Sequence, residues 1–310
     1  MSEEQTMEFG RTRQQKWAGL GGHTGHSVAP LTRCRAVLAS PPKVGKSCLL
    51  QSNPDAYIFN FDQSSTVTST PRAVLYPIVG DDGSCLLDNG PGVLSFDLIR
   101  QKHAALLQLA RDNRPRPSLV VNDSLTTMVN LIRPWIAANA VQLNISKDPV
   151  DDFKKLHGPA AYDALFETIV RFINELYQVG YGVITTVHIV NTKIQIGDDV
   201  MKFVPELCAS EGLWKRLYPL MEWVGILHRK PVIETYDKEV ISTLRGVETK
   251  SIRKESRSVE KVFLSVDNAE YRHISGGRVR FEPIEVPHVD GWAAVSKAYD
   301  AARATQMSGG

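Results

Sequence analysis

Val37–Leu50, VLASPPKVGKSCLL, is the stretch on which the reading of this chain turns. Its first residues, Val37 to Ala39, form a continuously apolar run, as a strand covered on both faces requires. A tight turn follows through Ser40, Pro41, Pro42, Lys43, Val44 and Gly45, and a helix is expected to start at Lys46. Strand, turn and helix start in that order aim backbone N–H groups into one concavity, which is how an anion is cradled. Lys46 adds a cation there and Ser47 a hydroxyl. Ser40 stands where such loops usually carry their first glycine. Serine is small, so the tight turn is expected to survive. The plainer alternative is a Pro-Gly surface turn with a solvated lysine.

A second acid strengthens the first reading. SLVVNDS, Ser118 to Ser124, is a buried strand that ends in Asp123, beside the loop if the two strands share a sheet. A cradle, a lysine, a hydroxyl and a carboxylate together predict binding of ATP or GTP with Mg²⁺. Ser47 and Asp123 would hold the metal and its water, and Ser40 through Cys48 would hold the phosphates. Asp123-Ser124 also suits a helix cap, which is the simpler role for the pair.

Working outward, AYIFNFD (Ala56–Asp62) and VITTVHIV (Val183–Val190) read as further apolar strands. Between the strands lie helical patterns. SFDLIRQKHAALLQLARDN opens with Ser95 as a cap, and Pro134 is expected to end or kink the helix after Asp123. Ala161, Leu165, Ile169, Phe172 and Leu176 carry clean three-four spacing. Strand and helix thus alternate, which implies an α/β fold. After Trp223 the segments WVGILHR, PVIETY, VFLSVD and VRFEPIEV are short and β-like, so antiparallel strands are expected to extend the sheet. Arg245–Lys261 reads either as a basic cluster for phosphate contact or, more simply, as a solvated, salt-bridged connector, and GWAAVSKAYDAARATQ as a closing helix. The expected division is a flexible extension over 1–33, a core over 34–290, and a helix and tail over 291–310.

The net charge of +2 gives no general reason for a polyanionic partner, so any such contact needs a local cluster. Four scattered cysteines suit a reducing compartment, and a metal among His23, His26 and Cys34 is a weak possibility. No apolar run is long enough for a bilayer and the start is polar, so a cytoplasmic protein without membrane contact is expected.

The order and spacing of VLASPPKVGKS, AYIFNFD, SLVVNDSLT and VITTVH resemble RecA-like P-loop ATPases. PPKVGKS, NDSLT and the strand ending in His188 further resemble the Sak-type proteins of phages, which act in recombination and single-strand annealing beside single-strand-binding proteins. The resemblance covers roughly Cys34–Leu227. It implies a RecA-like P-loop NTPase core: a mostly parallel sheet flanked by helices, extended by C-terminal antiparallel strands. By that resemblance Lys46 neutralises the β- and γ-phosphates, Ser47 ligates Mg²⁺ and Asp123 holds the metal's water. Asp62 is the acid that either orients the attacking water or merely caps the strand end, since Gln63-Ser64-Ser65 replaces the family's glutamate. His188 is a γ-phosphate sensor, with Thr185 and Thr186 as helpers.

The same plan implies single-stranded DNA across the loops Arg133–His157 and Ile189–Pro205, with Trp135 or Phe203 stacking on bases. Acids at Asp148, Asp151, Asp152, Asp198 and Asp199 argue against that contact. The plan also implies a homo-oligomer, ring or filament, with a cation such as Arg229, Lys230, Arg278 or Arg280 reaching a neighbour's phosphate. A nucleotide-switched loader of another protein at DNA is the competing function. A hexameric helicase-like motor is the third.

Overall fold

The computed structural model describes residues 29–63, 72–156, 158–196, 200–244, 247–267 and 274–308. Strand β1 (Arg35–Ser40) lies in the middle of the main sheet. It pairs in parallel with β8 (Gly182–Ile196) on one side and β10 (Trp223–Leu244) on the other. Beyond β8 the sheet continues in parallel through β7 (Leu119–Asp123), β2 (Ala56–Asn60) and β3 (Val74–Tyr76). Beyond β10 it continues antiparallel through β11 (Val247–Ser265) and β13 (Ile284–Glu285). β9 (Val200–Leu207) pairs β8, and β12 (Gly276–Gly277) pairs β10. Three short strands, β4 (Ile78–Val79), β5 (Cys85–Leu87) and β6 (Gly90–Pro91), form a separate small sheet.

Each central strand carries an apolar run because both its faces are covered there. In β1, Val37 and Ala39 belong to one core and Ala36 and Leu38 to the other. The first core packs helices α2 (Phe96–Arg111), α3 (Leu125–Ala138) and α4 (Pro159–Gln178) through Ile99, Met128, Ile132, Leu165 and Ile169. The second packs α1 (Lys46–Gln51) and α5 (Gly291–Ser308) through Leu49, Leu50, Trp292, Val295 and Tyr299. The three-four residues of α4 are all buried, as their spacing predicts. The Ser95 side chain accepts from Leu98 N at 3.4 Å, as an N-cap should. Ala29–Arg33 also sits on the second core: Leu31 is buried, and Tyr299 Oη donates to the Ala29 carbonyl at 2.8 Å.

Several local expectations differ from what is observed. α3 continues through Pro134 to Ala138 rather than ending there. Ile189–Pro205 is not a loop, because β8 and β9 pair across it as a hairpin from Ile189↔Leu207 to Ile196↔Val200. Of the expected connector Arg245–Lys261, Arg245 and Gly246 lie outside the described residues, and Val247–Lys261 is strand, part of a long ribbon in which β10 and β11 pair from Ile226↔Ser265 to Leu244↔Val247. Within VRFEPIEV only Ile284–Glu285 is a strand. Cys34 is a core thiol whose Sγ donates to the Leu31 carbonyl at 3.2 Å, and burial pushes its pKa up to about 12. The metal considered for it together with His23 and His26 falls on residues outside the described ones.

Candidate nucleotide site

Strand register brings the candidate residues to one edge. Ser40 lies opposite His188, and Asn60 lies opposite Asp123. The strands are parallel, so their C-terminal ends finish together, and the loops leaving that edge form the crevice typical of such sheets. Asp62 follows β2 directly, and its amide donates to the Asp123 carbonyl at 3.2 Å.

The turn after β1 explains Ser40. Gly45, the residue before α1, has φ +115°, a conformation that side chains rarely adopt. Ser40 is buried; its Oγ accepts from Lys46 Nζ at 2.8 Å and donates to the Pro41 carbonyl at 2.6 Å. A glycine would supply neither bond. The serine therefore preserves the turn and also gives the lysine a resting partner. Lys46 Nζ reaches His188 Nδ1 as well, at 3.2 Å. With an ammonium as donor, Nδ1 must accept, so His188 carries its proton on Nε2 and faces Asp62 Oδ2 across a long 3.5 Å.

The two carboxylates sit in contrasting surroundings. Asp123 is 3% exposed, and burial raises its pKa against hydrogen bonds from Thr186 Oγ1 at 2.5 Å and Ser47 Oγ at 2.8 Å. Burial also acts on Asp62, but bonds from His188, Thr127 and Ser124 outweigh it and hold its pKa low. Asp62 is thus a charged acceptor at the mouth, and Asp123 a buried one beneath it. Thr185 is turned toward Asn122 and Thr186 toward Asp123, so neither is placed to position water. Thr127 had no signal in the sequence beyond a hydroxyl-rich DSLTT.

A cavity of about 740 Å³ holds these groups together, a volume suited to a nucleotide. Pro42 to Leu49, Asp62, Asp123 and His188 line one end. Ser40 and Pro41 are not in the lining, and Ser40 acts from beneath through Lys46. Arg229 lines the cavity too, and its Nη2 donates to the Lys43 carbonyl of the same chain at 3.0 Å. Arg278 and Arg280 lie by β12, which pairs with the first residues of β10 at the opposite sheet edge. Among the described residues no group of three or more His, Cys, Asp or Glu is arranged to hold a metal. Ser47 and Asp123 nonetheless present two hard oxygen donors to each other, the donor set of a Mg²⁺ that is completed by phosphates and water.

Residues 32–251 match the AAA domain family. The chain belongs to that family. No curated protein matches the sequence. Among solved structures it is similar to a KaiC-like protein of the hyperthermophilic archaeon Pyrococcus horikoshii OT3, at 8% identity and a TM-score of 0.32. The match covers 82% of this chain and 89% of that one. The AAA domain here has the α/β P-loop NTPase fold and is an ATP-binding domain. Among the described residues no helix is long and apolar enough to cross a membrane.

Lys46 makes the site sensitive to pH. Burial lowers its pKa from an ordinary 10.5 to about 8, against the attraction of Asp123 and Asp62. The free protein therefore loses the ammonium as pH rises through about 8, whereas a bound triphosphate would hold the proton. ATP affinity is expected to weaken above that point by up to roughly tenfold per pH unit. Calorimetric titrations between pH 6.5 and 9.5 measure this, and Lys46→Arg should flatten the slope.

Proposed function

We propose that this AAA domain hydrolyses ATP and uses the cycle to handle single-stranded DNA in phage-type recombination or strand annealing, with ATP bound at interfaces of a homo-oligomeric ring or filament. The observation that carries the reading is the chain of contacts Lys46–His188–Asp62, with β8 running on from His188 directly into the β8–β9 hairpin. An arriving γ-phosphate competes for Lys46, which frees His188 to bond the phosphate and shifts the start of that hairpin. Asp62 orients a water and accepts its proton as the water oxygen attacks phosphorus. The bond to the β-phosphate oxygen breaks, and Lys46 stabilises the charge that gathers on the leaving diphosphate. Ser47 and Asp123 would hold Mg²⁺, which offsets phosphate charge when bound.

The DNA assignment draws on the Sak-type resemblance and on the exposed Lys147 and Lys154 between α3 and α4. Trp135 contributes nothing to it, since its Nε1 donates to Asp97 and its ring lies under Arg100. The side chain of Phe203 lies outside the described residues. A single-strand-binding protein is a fitting partner, and the cytoplasm (of the host, for a phage protein) a fitting location. ATP hydrolysis with and without single-stranded DNA tests the reading, with Lys46→Ala as the blank. Stimulation by the strand that disappears in the variant is expected.

One observation favours a protein-handling switch instead. On the β10–β11 ribbon, Lys238 pairs with Glu255, Arg257 with Glu234, and Lys261 with Glu234 and Glu285. Arg257 and Lys261 are thereby neutralised by acids of the neighbouring strands, which weakens their pull on phosphates. Hydrolysis indifferent to DNA, with nucleotide-dependent capture of a protein, would select this second reading.

A further inference from the structure

The cavity has two chemically different ends. The end by Lys46, Ser47, Asp62, Asp123 and His188 is polar and charged. The other is bounded by Val262, Val286 and Pro287, an apolar face set beside the charged Glu260, Lys261 and Glu285, with His288 exposed next to it. A nucleotide has the same asymmetry: a polyanion at one end and a flat, weakly polar base at the other. Only one orientation matches the two.

The far wall is also firmly built. Val286 N donates to the Val262 carbonyl at 2.8 Å, which stitches the segment to β11. Val286 and Leu49 close together over Gly291, where an added Cβ would come within 2.9 Å of one and 3.1 Å of the other. Four residues beyond His288, Trp292 N donates to Ser52 Oγ at 3.1 Å, at the end of α1. The wall is thereby fixed on the helix that carries Lys46 and Ser47. Pro287 and His288 remain exposed on it, although nothing about their local sequence marks them as site residues.

We infer that Val262, Val286, Pro287 and His288 form the base subsite of this ATPase, contributed in cis and taking the purine by its faces. The inference rests on the nucleotide reading of the Ser40–Cys48 loop. It adds a consequence, because the subsite stands at the root of the ribbon. Lys261, next to Val262, bridges Glu234 on β10 and Glu285 on β13 at 3.0 Å each, so a seated base borders the ion pairs that hold the ribbon's base together.

The test compares ATP with inorganic tripolyphosphate, which has the phosphates and no base. The protein is the full chain carrying Pro287→Gly with His288→Ala, both surface positions. ATP affinity by calorimetry is expected to fall roughly tenfold, the scale of a lost stacking contact, while tripolyphosphate affinity stays within about twofold of wild type. An equal loss for both ligands would mean that the wall acts only through the phosphate loop, and no loss for either would put the base elsewhere. Either result overturns the inference. Wild-type protein that binds neither ligand would instead overturn the nucleotide reading on which it rests. A second measurement does not depend on the variant's fold: photolabelling of wild type with 8-azido-ATP should mark the peptide containing Glu285–His288. Label found only on other peptides overturns the assignment.

Discussion

Asp62→Asn is expected to slow ATP hydrolysis by roughly 10²- to 10⁴-fold, the range for removing a general base, with ATP affinity changed less than about threefold. The asparagine keeps an oxygen where Ser124 Oγ donates at 2.9 Å and where Thr127 also bonds, so the loop after β2 should hold its shape. What disappears is the charge that pulls a proton from water. His188, Thr127 and Ser124 keep the aspartate ionised below the usual carboxylate range, so the wild-type rate should persist into mildly acidic solution. Single-turnover hydrolysis beside equilibrium binding separates the two quantities. A rate within threefold of wild type would make Asp62 a strand-end acceptor and leave the AAA domain without an identified base, as befits a slow switch.

The largest loss of stability is expected from Gly277→Ala. Gly277 pairs with Trp223 at the start of β10 and has φ +151°. A Cβ there would lie 2.4 Å from the Glu222 carbonyl oxygen and 2.5 Å from Trp223 Cα. Both are backbone atoms and neither can swing aside. Trp223 is itself among the largest fully buried side chains, so β12 cannot shift without moving the second core. Backbone strain plus overpacking should cost about 3–5 kcal/mol, read as a fall in thermal midpoint. Gly276→Ala is a fair control. Its φ of +147° is equally unfavourable, but its added Cβ meets only the movable Tyr218 hydroxyl at 3.2 Å. A Gly277→Ala midpoint equal to that of Gly276→Ala would show that the sheet edge relaxes freely.

The β10–β11 ribbon shows where sequence reading stops. A strand with one buried face announces itself by alternation, but over 231–239 and 252–261 this ribbon has solvent on both faces. Ile233 and Ile252 are 76% and 75% exposed. With no core to satisfy, the charges follow cross-strand pairing instead, so Arg257 belongs opposite Glu234 and Lys254 opposite Asp237. Along the chain such a pattern looks like a solvated connector. The β8–β9 hairpin was hidden in the same way, its partners drawn together across acids and glycine that suggested an open loop.

The phosphate loop was legible because its chemistry is local. Lys46, Ser47 and the turn before them are consecutive, and covalent geometry places them together wherever the strand goes. Buried parallel strands were legible as well, since Val37–Ala39, Ile58–Phe59, Leu119–Val121 and Val183–Ile184 must be apolar on both sides. The sequence alone therefore determined the α/β class, the strand–turn–helix start at Lys46 and the strand-end acids. Only the tertiary structure decided that Ser40 holds the lysine, that His188 links Lys46 to Asp62, and that Val262 and Val286–His288 face the phosphate loop. Those contacts join residues up to about 240 positions apart, from Lys46 to Val286. Their proximity is set by strand register and by the order of strands in the sheet, and no short-range spacing in the chain encodes either.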